Sequence, residues 1–109
     1  LGAARSLAGA TAAVVVLKGA TTVVAAPDGR EAVSDRGHPG LASGGTGDVL
    51  AGALGALLAA PGGDVFERAC AAVLLHGLAG ERAAQARGVG LVASDVADAL
   101  AAVRAGPRP

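Results

Sequence analysis

Aromatic side chains are almost absent from these 109 residues: Phe66 is the only one, and Trp, Tyr and Met do not occur. The core must therefore be built from Ala, Val and Leu, which bury little area per residue. At about 25 cal/mol per Å² of apolar surface, such a core leaves a thin margin for one domain of this size. The lone cysteine, Cys70, excludes an internal disulfide and fits a reducing compartment. Charge of neither sign predominates, since nine basic residues balance nine acidic ones. With no basic stripe and no interleaved aromatics, the chain lacks the footprint of a nucleic-acid surface. The apolar stretch Val49–Ala60 is too short to span a bilayer and is interrupted by glycine. No secretory signal pattern is visible, and the expected location is the cytoplasm. No Cys/His cluster offers a zinc site, and no nucleophile-elbow or Walker A string occurs.

Apolar residues and glycine remain, and their order is informative. Leu1–Thr11 reads as an Ala-rich helix with Gly9 near its end. Ala12–Leu17 is a continuous apolar run with three valines, the pattern of a strand buried on both faces as in a parallel sheet. Thr21–Ala26 is a second β-rich run. Pro27-Asp28-Gly29-Arg30 then sets a turn, and Glu31–Ser34 returns as a short strand. Asp35–Gly47 is a glycine-dense loop.

Three helices follow. Asp48–Ala60 carries Val49, Leu50, Ala53, Leu54, Leu57 and Leu58 as its apolar stripe. Asp64 caps a long helix to about Arg87, with Glu67 completing a capping-box-like pair. Ser94 caps the last helix, with Asp95 in its first turn, to about Ala105. The tail Gly106–Pro109 is expected to fray. A few strands followed by three helices is α/β material. Two or three strands leave exposed edges, so more of the sheet is expected upstream of Leu1 or in a partner chain.

The most informative segment is Ser43-Gly44-Gly45-Thr46-Gly47-Asp48, directly ahead of an apolar helix. A glycine-rich turn feeding a helix N-terminus is a ready anion site, because free amides and the positive dipole end point the same way. Gly44, Gly45 and Thr46 are the candidate backbone of that anion hole. Asp48 can be read as a plain dipole-stabilising residue. The alternative is a carboxylate that takes the proton of a substrate hydroxyl as a phosphoryl group arrives, where orienting the hydroxyl matters more than basicity. The turn Lys18-Gly19-Ala20-Thr21-Thr22 follows the first strand and is either a nucleotide contact or an ordinary turn with a solvated lysine. His38 reads as a loop residue. His76 reads as a packing histidine in a leucine-rich helix, and Cys70 as a small buried apolar group.

These strings resemble those of the ADP-dependent NAD(P)H-hydrate dehydratases. The resemblance runs through Leu17-Lys18-Gly19-Ala20-Thr21-Thr22-Val23-Val24, Pro27-Asp28-Gly29, Gly37–Gly52, Leu75-His76-Gly77-Leu78-Ala79-Gly80 and Ala93-Ser94-Asp95. It covers about Ala12 to Val103. The G-[GA]-T-G-D core is shared with ribokinase-like proteins at large, whereas the other strings are more specific. His38 stands where the family usually has Asn, and Leu41 where it often has Met, so no role is carried onto His38.

The resemblance implies a ribokinase-like three-layer α/β/α fold, with residues 1–109 as the C-terminal part of that domain. It implies dehydration of the S-epimer of hydrated NADH or NADPH, driven by ADP or ATP with Mg²⁺. The ring hydroxyl is phosphorylated, and loss of phosphate then restores the double bond. By the same resemblance Lys18, Gly19, Ala20, Thr21, Thr22 and Gly47 contact the nucleotide. Asp48 contacts the hydrate and serves as base, and no residue is assigned as a metal ligand. The other readings are a ribokinase-like kinase of hydroxymethylpyrimidine or sugar type, and a non-catalytic nucleotide-binding fragment. The expected assembly is a homo-oligomer, and the isolated chain is expected to be inactive or nearly so.

Overall fold

Tight turns decide the arrangement of the first half. The structure, a computed structural model, describes residues 2–19, 21–37, 45–59, 62–87 and 92–105. The element order is α1 (Gly2–Thr11), β1 (Val15–Leu17), β2 (Thr22–Ala25), β3 (Glu31–Ser34), α2 (Thr46–Ala59), α3 (Val65–Arg87) and α4 (Ala93–Ala105). The strands form one antiparallel sheet in the order β1-β2-β3, with Val16 opposite Val24 and Val24 opposite Ala32. The turn after β2 is set as its residues suggest. Gly29 sits at φ 99°, Ala26 and Arg30 close the hairpin with a 2.9 Å backbone bond, and the Asp28 carboxylate accepts from the Arg30 amide at 3.1 Å.

Alternation along the strands sorts the core into two faces. Val24, with Val16 and Ala32, packs against Leu50 of α2 and Phe66, Ala69 and Val73 of α3. Val23 and Ala25, with Val15, pack against Ala4 and Ala8 of α1. Helices therefore cover both sides of the sheet, in three layers. A third cluster joins α3 to α4 through Ala79, Ala83 and Val96. Where contacts are alanines, helix backbones can approach closely, which is how a core with one aromatic closes.

Several expectations need correction. β1 is not buried on both faces in a parallel pair: it is a three-residue strand, half-exposed, antiparallel to β2. The cause is the short Lys18–Thr21 connection, since a parallel return needs a crossover of about a dozen residues or more. α1 does end at Thr11 as its residues suggest, and the stop is set by Ala12, left-handed at φ 55°, just after it. α2 begins at Thr46, two residues before Asp48, and its stripe is Thr46, Leu50 and Ala53 with Val49, Leu54 and Leu57 beside it. Leu58 falls outside that stripe and is 44% exposed. Asp64 does cap α3, accepting from the Glu67 amide at 3.1 Å. α4 begins at Ala93, so Ser94 lies inside it; Asp95 reaches back to accept from the Val92 amide at 2.8 Å. The tail 106–109 lies outside the described residues.

Candidate functional site

The glycine-led start of α2 is built from backbone constraints. Gly45 has φ 91°, and a Cβ added there would lie 3.1 Å from the Ala93 Cβ. Only glycine meets both conditions without strain. The Gly45 carbonyl accepts from the Asp48 amide at 3.1 Å and the Val49 amide at 3.3 Å, so the loop passes directly into helix. The amides before Asp48 have no acceptor within the helix, and the dipole makes this end positive.

Side chains from two elements meet at this turn. Lys18, at the end of β1, is exposed, and its Nζ lies 3.8 Å from where a Gly47 Cβ would stand. A flexible cation therefore lies beside the first turn of α2. Asp48 is the third residue of α2 and is exposed. Among the described residues, neither Asp48 nor Lys18 makes an ion pair or a side-chain hydrogen bond. An uncommitted carboxylate and an uncommitted cation beside the positive end of a helix are parts suited to binding a phosphoryl donor beside a hydroxyl.

The sequence-derived site residues divide accordingly. Lys18, Gly45, Thr46, Gly47 and Asp48 come together. Gly19 and Thr21 lie in the adjoining turn, where a Cβ at Gly19 would stand 3.3 Å from the Thr21 carbonyl. Thr22 is drawn into β2 opposite Ser34. Ala20, Gly44, His38 and Leu41 lie outside the described residues.

His76 has a partner that its sequence context did not reveal. It is buried in α3, and its Nε2 lies 3.0 Å from the Thr46 carbonyl. The carbonyl accepts, so Nε2 carries the hydrogen. Burial pushes the imidazole below its ordinary pKa of 6.5, opposed by the Thr46 carbonyl and reinforced by the nearby Lys18 charge. The ring is thus a neutral donor. The usable signal was its burial: a buried polar group needs a partner, and the leucine-rich neighbours offered none. Cys70 is partly buried, and burial pushes its thiol up, as a packing role requires.

A family profile described as NAD(P)H-hydrate dehydratase matches residues 1–102. The chain belongs to the NAD(P)H-hydrate dehydratase family. Among relatives, the ADP-dependent (S)-NAD(P)H-hydrate dehydratase of Neisseria meningitidis serogroup B is 46% identical over 89% of this chain and 33% of its own length. The bifunctional NAD(P)H-hydrate repair enzyme Nnr of Thermofilum pendens is 53% identical over 79% of this chain and 16% of its own. This NAD(P)H-hydrate dehydratase family chain thus spans a third or less of the length of these curated relatives. The ADP/ATP-dependent NAD(P)H-hydrate dehydratase from Bacillus subtilis, co-crystallized with ATP/Mg²⁺, superposes with TM-score 0.87 at 34% identity, over 95% of this chain and 38% of that one. The shared fold is ribokinase-like. These relatives carry dehydratase names rather than those of sugar or hydroxymethylpyrimidine kinases, which favours the dehydratase reading.

Proposed function

We propose that this chain supplies the nucleotide-facing part of an ADP- or ATP-dependent NAD(P)H-hydrate dehydratase acting on the S-epimer of hydrated NADH or NADPH. The observation that carries the reading is the meeting of Lys18 with the Gly45–Asp48 turn in a chain of this family. The Lys18–Thr22 turn and Gly47 hold the nucleotide phosphates, with Gly44, Gly45 and Thr46 offering amides. Asp48 orients the ring hydroxyl and accepts its proton as the hydroxyl oxygen takes the phosphoryl group. Phosphate then leaves with the C–O bond pair, a ring proton is lost, and the double bond returns.

Among the described residues no group of three or more His, Cys, Asp or Glu could hold a metal ion. A protein-side metal cage is therefore not what these residues offer. Mg²⁺ fits instead as an ion carried on the nucleotide phosphates, where it neutralises their charge.

The chain is taken as the C-terminal part of a larger domain, in a cytoplasmic homo-oligomer. Among the described residues no helix is long and apolar enough to cross a membrane. The test is loss of NADPH hydrate by the complete protein carrying this chain, with ADP or ATP, with and without Mg²⁺. Nucleotide- and Mg²⁺-dependent return of NADPH is expected, and no loss of hydrate would sink the reading. The 109-residue chain alone is expected to be inactive; robust turnover by it would refute its place as one part of the site.

A further inference from the structure

Three residues of α3 reach the two chain segments that flank residues 38–44. On the far side, His76 donates to the Thr46 carbonyl in the first turn of α2. On the near side, Glu81 accepts from the Arg36 guanidinium at 2.7 and 2.9 Å and from the Gly37 amide at 2.8 Å. Between them, Gly77 lies so close to the segment after β3 that a Cβ would stand 2.7 Å from the Arg36 carbonyl oxygen. Gly77 and Glu81, four residues apart, share a helical face, and His76 flanks it one residue earlier, about 100° round the axis from Gly77. None of the three carries a role in the reaction described above.

We propose that His76, Gly77 and Glu81 form a positioning clamp that fixes both ends of the glycine loop and so sets Asp48 and the first-turn amides of α2 against Lys18. The clamp rests on the dehydratase reading for its substrate, not for its geometry. His76 touches the carbonyl of Thr46, two residues from Asp48, so it acts through the backbone rather than on substrate. A neutral imidazole suits the task, because a cation there would face Lys18.

The test uses the complete protein, comparing wild type with His76→Leu, His76→Gln and Gly77→Ala. Leu keeps the bulk and removes the donor, whereas Gln retains a terminal N–H. Readouts are amide exchange over Thr46–Leu50, calorimetric ADP affinity, and kcat and KM for NADPH hydrate. His76→Leu is expected to speed exchange in that turn and lower kcat about tenfold or more, with hydrate KM moved less than about twofold. His76→Gln is expected to recover to within about threefold of wild type by restoring the hydrogen bond. Gly77→Ala, which leaves His76 intact, is expected to lower kcat about fivefold by displacing the near side. A His76→Leu enzyme at wild-type kcat, or a His76→Gln enzyme no better than His76→Leu, overturns the clamp. So does exchange that rises equally along all of α3. If His76→Leu does not fold, Gly77→Ala decides, and wild-type kcat in it overturns the proposal. If wild type fails to consume hydrate, only the dehydratase reading falls. Exchange and ADP affinity then decide: perturbed in His76→Leu and restored in His76→Gln supports the clamp, and no difference overturns it.

Discussion

Two corners of this molecule are built alike and finished differently. At each, a hairpin turn brings a basic side chain to the first residues of a helix that bears an aspartate. In the first corner, Arg30 of the β2–β3 turn meets Asp64 at the start of α3. Its guanidinium bonds Asp64 at 2.6 and 3.1 Å and Asp28 at 2.8 Å, and lies 4.8 Å from the centre of the Phe66 ring. Asp64 in turn caps its own helix, and the Arg30 hydrogen bond holds it below the usual carboxylate range. Every group is committed. In the second corner, Lys18 of the β1–β2 turn meets the start of α2, yet neither it nor Asp48 is committed to a partner among the described residues. The first corner is a clasp that holds two elements together. The second keeps its charge available, and availability marks a binding site more clearly than charge itself.

Removing the open corner's carboxylate should have the largest effect. Asp48→Asn in the complete protein is expected to lower kcat about a hundredfold or more, as loss of a general base does, with Tm nearly unchanged. Intact turnover would reduce Asp48 to a helix-end charge and erase the contrast. Lys18→Ala should raise the nucleotide KM about tenfold, the cost of one phosphate contact, again with Tm held. An unchanged KM would mean that the lysine is merely solvated.

Arg30→Ala should do the reverse: Tm falls by a few degrees while turnover stays, because exposed pairs contribute modestly and the clasp is far from the reaction. Lost turnover at unchanged Tm would show that the corners are not separate. The smallest effect is a difference in pH response. His76 has a folded pKa below its ordinary 6.5, so its contribution is complete above 6.5 and declines as pH falls below it, opposed by charging beside Lys18. Asp64 has a folded pKa below its ordinary 3.8, so its contribution persists until pH falls through that value. Regional amide exchange on acidification should therefore loosen the start of α2 before the start of α3; the opposite order would contradict the assignment of His76 as a neutral donor.

The legible features were those set by neighbours in sequence. Pro27–Arg30 specified its own turn, Asp64 its own cap, and the glycines before Asp48 their own entry into helix. Illegible features depended on contacts far along the chain. The direction of β1 followed from the short turn after it, which pairs it antiparallel to β2. Leu58 matched the stripe by spacing, yet it is exposed. His76 looked like core because its partner lies thirty residues away, in a backbone carbonyl that no side-chain pattern announces. Gly77 belonged to a string that resembled a family, yet its physical reason appears only where Arg36 crosses it.

The length of α3 has a consequence of its own. One unbroken helix carries the clasp at Asp64 and the donor at His76, twelve residues and about 18 Å apart. It is a ruler, and a ruler tolerates no added divisions. One residue inserted between those two points would turn His76 by about 100° and aim its ring away from Thr46. Evolutionary change in this stretch should therefore come as substitution, and length variation should be confined to the connections on either side.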